Sequence, residues 1–251
     1  MSPLDQLDEA VRAIRSGDVE TLRRLLAEIP SLATARTGMP FRCRTLLHEA
    51  TDWPGHLPRV AESIRALVSA GADVNAPFLG RAHAETPLHW AASSDDVDAL
   101  NALVEAGADI EAPGAVIGGG TSLADAVAFG QWRAARRLVD LGARMALWEA
   151  AALGHLDVVR LHLEGGPTER LVDWSLRPAS TEASAPDDIT HAFWCACHGG
   201  QQATAEFLLE RGADPNWVGY DGLTALGAAR RSGAEALCDW LAEELRHRTA
   251  G

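Results

Sequence analysis

The chain has 251 residues and a formal net charge of −13, and all 22 of its basic residues are arginine. Phosphate recognition needs a concentrated basic surface, so this balance argues against nucleic acid and an anionic membrane face, and favours a basic or neutral partner. With no lysine in the sequence there is no lysine Schiff base and no Walker-type lysine, and an all-arginine basic set points to a GC-rich, bacterial genome.

About 47% of the residues are apolar, enough to bury a core. Cys43, Cys195, Cys197 and Cys238 lack the spacing of a disulfide framework, so a reduced, cytoplasmic chain is expected. The start, MSPLDQLDEAV, is acidic and amphipathic and does not read as a signal peptide. No apolar run approaches a membrane span.

Taken in order, residues 4–37 read as an amino-terminal cap of two helices, 7–16 and 19–27, separated by Gly17-Asp18. Polar residues on the first helix would face water. Residues 38–78 hold helices at 45–51 and 59–70, joined by a longer, proline-bearing loop, Asp52 to Pro58. Residues 79–112 follow the same plan. Thr86 caps a helix ending near Ser93, Pro87 sits where a backbone donor would be orphaned anyway, and a second helix runs over 97–105 to a stop at Gly107. Residues 113–145 give helices at 123–129 and 131–141. Residues 146–187 give helices at 146–153 and 156–164, then an aperiodic insertion, 165–188. Residues 189–218 and 219–248 close the array with helices at 191–198, 202–211, 226–231 and 235–245.

Each helix pair is too small to bury its own apolar face, so the pairs must stack on one another. The spacing supports this. Gly-Ala-Asp recurs at Gly71, Gly107 and Gly212, with Gly142-Ala143-Arg144 as a variant, and the first three glycine landmarks (71, 107, 142) lie 36 and 35 residues apart. Thr86-Pro87-Leu88-His89-Trp90-Ala91 carries the T-P-L-H-x-A signature whole, with weaker copies at Thr45, Thr121 and Thr224. At these residues the chain closely resembles the ankyrin repeat family. The resemblance implies an all-α ankyrin-repeat solenoid, a single domain over 1–251 of about seven helix-turn-helix repeats with capping terminal repeats. It further implies that inner helices and turn tips line a concave, partner-binding surface.

Aligned on these landmarks, the position after the signature histidine reads Glu49, Trp90, Asp125, Glu149 and Cys195, an acid-rich departure from the family pattern. The histidine position reads His48, His89, Ala124, Trp148 and Trp194. The two histidines are expected to staple turns. The expected partner-binding or ligand-binding set is Asp52, Trp53, Trp90, Ser93, Asp95, Asp125, Phe129, Trp148, Glu149, Trp194, His198, Trp217 and Tyr220. Tryptophans interleaved with carboxylates suit a protein partner that needs aromatic anchors.

They also suit a small cationic or sugar-like ligand held by ring faces and charge, in a receptor or an enzyme. For an enzyme, Asp125, Glu149 and Asp52 are the catalytic candidates. Asp125 and Glu149 stand one repeat apart, where paired carboxyls could do acid-base work. His191, Cys195 and His198 share a helical face but would make poor tetrahedral geometry from one short helix, so no metal is expected. Gly118-Gly119-Gly120 lacks the residues of a phosphate loop, and no cofactor is expected.

Overall fold

A computed structural model describes residues 3–38, 43–80, 83–164 and 187–249. Most of the 165–188 insertion, all but Asp187 and Asp188, lies outside them. The described residues fall into two compact units, one up to Ala143 and one from Arg144 onward.

The first unit holds α1 (Pro3–Ser16), α2 (Val19–Glu28), α3 (Leu46–Thr51), α4 (Val60–Ser69), α5 (Pro87–Ser93), α6 (Val97–Glu105), α7 (Ser122–Ala128) and α8 (Trp132–Asp140). Odd-numbered helices stack on odd and even on even, giving an inner and an outer layer. Leu22, Leu25, Leu46, Ile64, Leu67, Leu88, Leu100, Leu103 and Leu123 are fully buried between the layers. Each such side chain contributes about 1.5–3 kcal/mol by leaving water. This is the expected all-α, paired-helix architecture. Among the described residues it is interrupted by a short antiparallel strand pair, β1 (Arg36–Thr37) against β2 (Arg44–Thr45), in which Arg36 faces Thr45.

The second unit holds α9 (Leu147–Leu153), α10 (Leu156–Leu163), α11 (Asp188–His198), α12 (Gln202–Glu210), α13 (Ala225–Ser232) and α14 (Glu235–Thr249). Its inner layer is α9, α11 and α13, and its core gathers Val159, Phe193, Leu208, Leu237 and Leu241. Helix α11 starts three residues earlier than the periodicity suggests. The cause is local: the Asp187 carboxylate accepts the Thr190 N–H at 2.6 Å and caps the extra turn.

The outer helices end as the glycine spacing requires. Gly71, Gly107, Gly142 and Gly212 all have φ between 94° and 100°. At α6 the N–H of Gly107 donates to Val104 O (3.0 Å) and that of Ala108 to Leu103 O (3.0 Å), which satisfies carbonyls the helix would otherwise orphan.

The signature histidines tie neighbouring helix pairs. His89 Nδ1 accepts from the Thr86 N–H at 3.1 Å, so the proton sits on Nε2, which donates to Gly120 O at 3.4 Å. His48 does the same between Thr45 (3.3 Å) and Glu85 O (3.1 Å).

Candidate functional site

In the first unit, five expected site residues lie along the edge where inner helices turn into outer ones. Asp52 caps the C-terminus of α3 and pairs with Arg44 at 2.6 Å; Arg44 also lies over the Trp90 ring, 5.0 Å from its centroid. Trp53 is 80% exposed. Its loop is pinned from the next helix pair. Asp96, which caps α6 through the Ala99 N–H (3.0 Å), also accepts the His56 N–H at 2.6 Å, and His56 Nε2 donates to Ser94 O at 3.1 Å. Gly55 packs so closely on Ser94 and Asp96 that an added Cβ would stand 2.9 Å from the Ser94 Cβ.

Ser93 ends α5 and Asp95 occupies the adjoining α5–α6 turn, where it accepts the Ala134 N–H of α8 at 2.7 Å. Phe129, at the C-terminus of α7, is 49% exposed. Sequence reasoning missed Asp96. The signal was its place before the apolar face of α6, the position of an N-cap.

Trp90 and Asp125 sit deeper. Trp90 is partly buried; its indole N–H donates to Glu85 Oε2 at 3.2 Å, and its ring makes edge contact with His48, centroids 4.8 Å apart. Asp125 is fully buried, and the carboxyl beside it belongs to Glu85. Burial, then the neighbouring Glu85 charge, push Asp125 well above the usual carboxylate range.

The second unit holds the remaining six, three of them around His191. Trp148, Trp217 and Tyr220 have ring centroids 5.8, 6.0 and 6.1 Å from the His191 ring. Trp194 and Tyr220 stand edge-on to Trp217, at 6.3 and 5.4 Å. Edge-to-face packing of this kind adds about 0.5–1.5 kcal/mol per pair. The Trp194 indole N–H donates to Leu223 O at 2.9 Å. Arg231 lies over the Trp194 ring at 5.8 Å, pairs with Asp221 at 2.6 Å and reaches His198 Nδ1 at 3.1 Å.

These contacts sort the expected ring surface. Trp148 is buried, Trp90, Trp194, Trp217 and Tyr220 are partly buried, and Trp53 and Phe129 stand open. Glu149 is fully buried and accepts the Ala146 N–H at 2.7 Å, doing for α9 what histidine does for α3 and α5. Cys195 Sγ lies 3.5 Å from His191 Nε2 and is buried, and burial pushes its thiol well above the ordinary range. Among the described residues no group of three or more His, Cys, Asp or Glu is placed to hold a metal ion. None of their helices is long and apolar enough to cross a membrane.

His48, His89 and His191 share one electrostatic property: burial lowers each to about 4. The unfolded chain binds these protons near 6.5, so the stabilisation is complete above about pH 6.5 and is lost as pH falls towards 4. Urea midpoints are expected to drop between pH 7 and pH 4.5 by an amount equivalent to several kcal/mol, and His89→Gln should flatten part of that slope.

A search of curated proteins gives no significant match. Among solved structures, the crystal structure of the human ASB11 ankyrin repeat domain is similar over 96% of this chain and 98% of that one, at 20% identity and a TM-score of 0.53, a likeness of fold. The family profile for ankyrin repeats (3 copies) matches residues 10–114, and that for a single ankyrin repeat matches residues 190–220, together more than half of the sequence. On this evidence and on the stacked helix pairs, the chain belongs to the ankyrin repeat family.

Proposed function

We propose that the protein is a non-enzymatic, cytoplasmic binding module that engages a basic or neutral protein partner along the inner-helix side. Ankyrin repeats are in general protein-interaction modules, and the net charge of −13 favours such a partner. The observation that carries the reading is Trp53, 80% exposed on a loop whose backbone is already fixed by Asp96 and Ser94. An aromatic anchor held in place before binding loses little entropy when a partner covers it. A second reading, a small cationic or sugar-like ligand, rests on the ring cluster of Trp194, Trp217 and Tyr220 beside Asp221.

The test is Trp53→Ala, measured against a partner recovered by affinity capture. Affinity is expected to fall by about 30-fold or more while the melting temperature stays unchanged, because the side chain packs on little. Unchanged affinity, together with saturable quenching of tryptophan fluorescence by a small cation, would move the assignment to the second reading.

A further inference from the structure

Two carboxyl groups meet inside the first unit. Glu85, immediately before the Thr86 cap of α5, is 6% exposed; its Oε2 lies 2.6 Å from His83 Nδ1 and accepts the Trp90 indole N–H at 3.2 Å. Asp125, on α7, is 0% exposed. Its Oδ1 accepts the Ile117 N–H at 3.3 Å, the Val116 N–H also faces the carboxyl, and the Glu85 carboxyl is its side-chain hydrogen-bonding neighbour.

Beyond the Ile117 and Val116 N–H groups, whose effect is smaller than that of burial and the Glu85 charge, the surroundings supply little to offset two anions. From α3 comes His48 and from α5 His89, both held neutral, with their Nε2 protons already donated to Glu85 O and Gly120 O. Arg44 lies over the far partner, Trp90, and is paired to Asp52. His83 stands on the Glu85 side, its side chain 23% exposed and its ring stacked on Phe78 at 5.0 Å. Isolated buried charge is far costlier than a neutral acid that donates a hydrogen bond.

We infer that Glu85 and Asp125 share one proton, carried by Asp125 and donated to the Glu85 carboxylate, and that this proton clasps the turn at 83–86 to the turn at 115–121. The same two segments meet through the backbone at the residue just before the second, Ala84 N–H donating to Gly114 O at 3.2 Å, so the clasp closes a contact already in register. When hydroxide removes the proton and becomes water, two carboxylates are left facing each other. Their repulsion separates the turns. The inference goes beyond partner binding and is independent of it.

Asp125 is raised in the fold, so its contribution is fullest below the unfolded value near ~3.9, declines as pH rises above that, and is constant again beyond the folded value. Asp125→Asn keeps a donor towards Glu85 and an acceptor for Ile117 without the proton. Its melting temperature is expected to gain on wild type from about pH 4 upward, at roughly 3–5 °C per pH unit until a plateau. Amide exchange at Ile117 and Ala84, corrected for intrinsic base catalysis, should speed up in wild type at high pH and not in the variant.

At neutral pH, wild type minus variant should show the infrared carbonyl stretch of a neutral carboxylic acid. The same band, read in wild type with 13C-labelled aspartate side chains, decides the matter should the variant fail to fold. A melting difference that is flat from pH 4 to 9, or no neutral-acid band in labelled wild type at pH 7, overturns the inference.

Discussion

Gly199→Ala is expected to break the packing of the second unit. Gly199 follows α11 with φ −82° and ψ −2°, a conformation any residue adopts, so the glycine is not there for backbone freedom. It is there for space. A Cβ at this position would lie 1.8 Å from the carbonyl oxygen of Ala152 and 2.7 Å from its carbon, and both are backbone atoms that cannot rotate away. Helices α9 and α11 approach this closely because their facing residues are small: Ala150, Ala151, Ala192 and Ala196 are all fully buried.

Relief requires the two inner helices to part, opening gaps around Phe193, the largest fully enclosed side chain. The expected loss is about 3 kcal/mol or more, at the upper end of overpacking effects. Gly200 provides the contrast. It needs its positive φ of 72°, but an added Cβ would come no closer than 3.3 Å to any atom, so Gly200→Ala should cost only about 1 kcal/mol. Thermal unfolding followed by near-ultraviolet circular dichroism ranks the two. Equal melting temperatures would refute the packing argument.

The second large effect is expected at Asp96, which is 1% exposed. Its two carboxylate oxygens serve two purposes, capping α6 through Ala99 at 3.0 Å and holding the loop of the preceding helix pair through His56 at 2.6 Å. Asp96→Ala removes a helix cap and leaves the His56 N–H without its acceptor. Together these should cost about 2–4 kcal/mol, read as a lowered urea midpoint at unchanged slope. The functional consequence is separable. With the loop released, Trp53 remains exposed but is no longer fixed, so partner affinity should fall even where the folded state stays fully populated. Asp96→Asn, which keeps one acceptor oxygen, should recover part of the stability and less of the affinity, because it can serve only one N–H well. Were Asp96→Ala to leave partner affinity intact, preorganisation of Trp53 would have no role in binding.

What the sequence alone determined was local or periodic. The outer-helix stops could be read because a left-handed residue after a helix end strongly favours glycine, and Gly71, Gly107, Gly142 and Gly212 mark it at near-constant spacing. The histidine staples could be read because Thr45 and Thr86 lie three residues before His48 and His89, within one helical turn. Acid-base partners and solvent exposure were another matter. An inner helix is flanked by a neighbour on either side and by its own outer helix, so nearly all of its perimeter is enclosed; in α7 every residue from Ser122 to Val127 is buried. A ladder of aligned positions therefore could not say that Asp125 and Glu149 turn inward while Trp53 and Phe129 stand open. Only the tertiary structure brings Glu85 to Asp125, 40 positions apart in sequence, or sets Gly199 against Ala152, because both contacts arise from stacking one helix pair on the next.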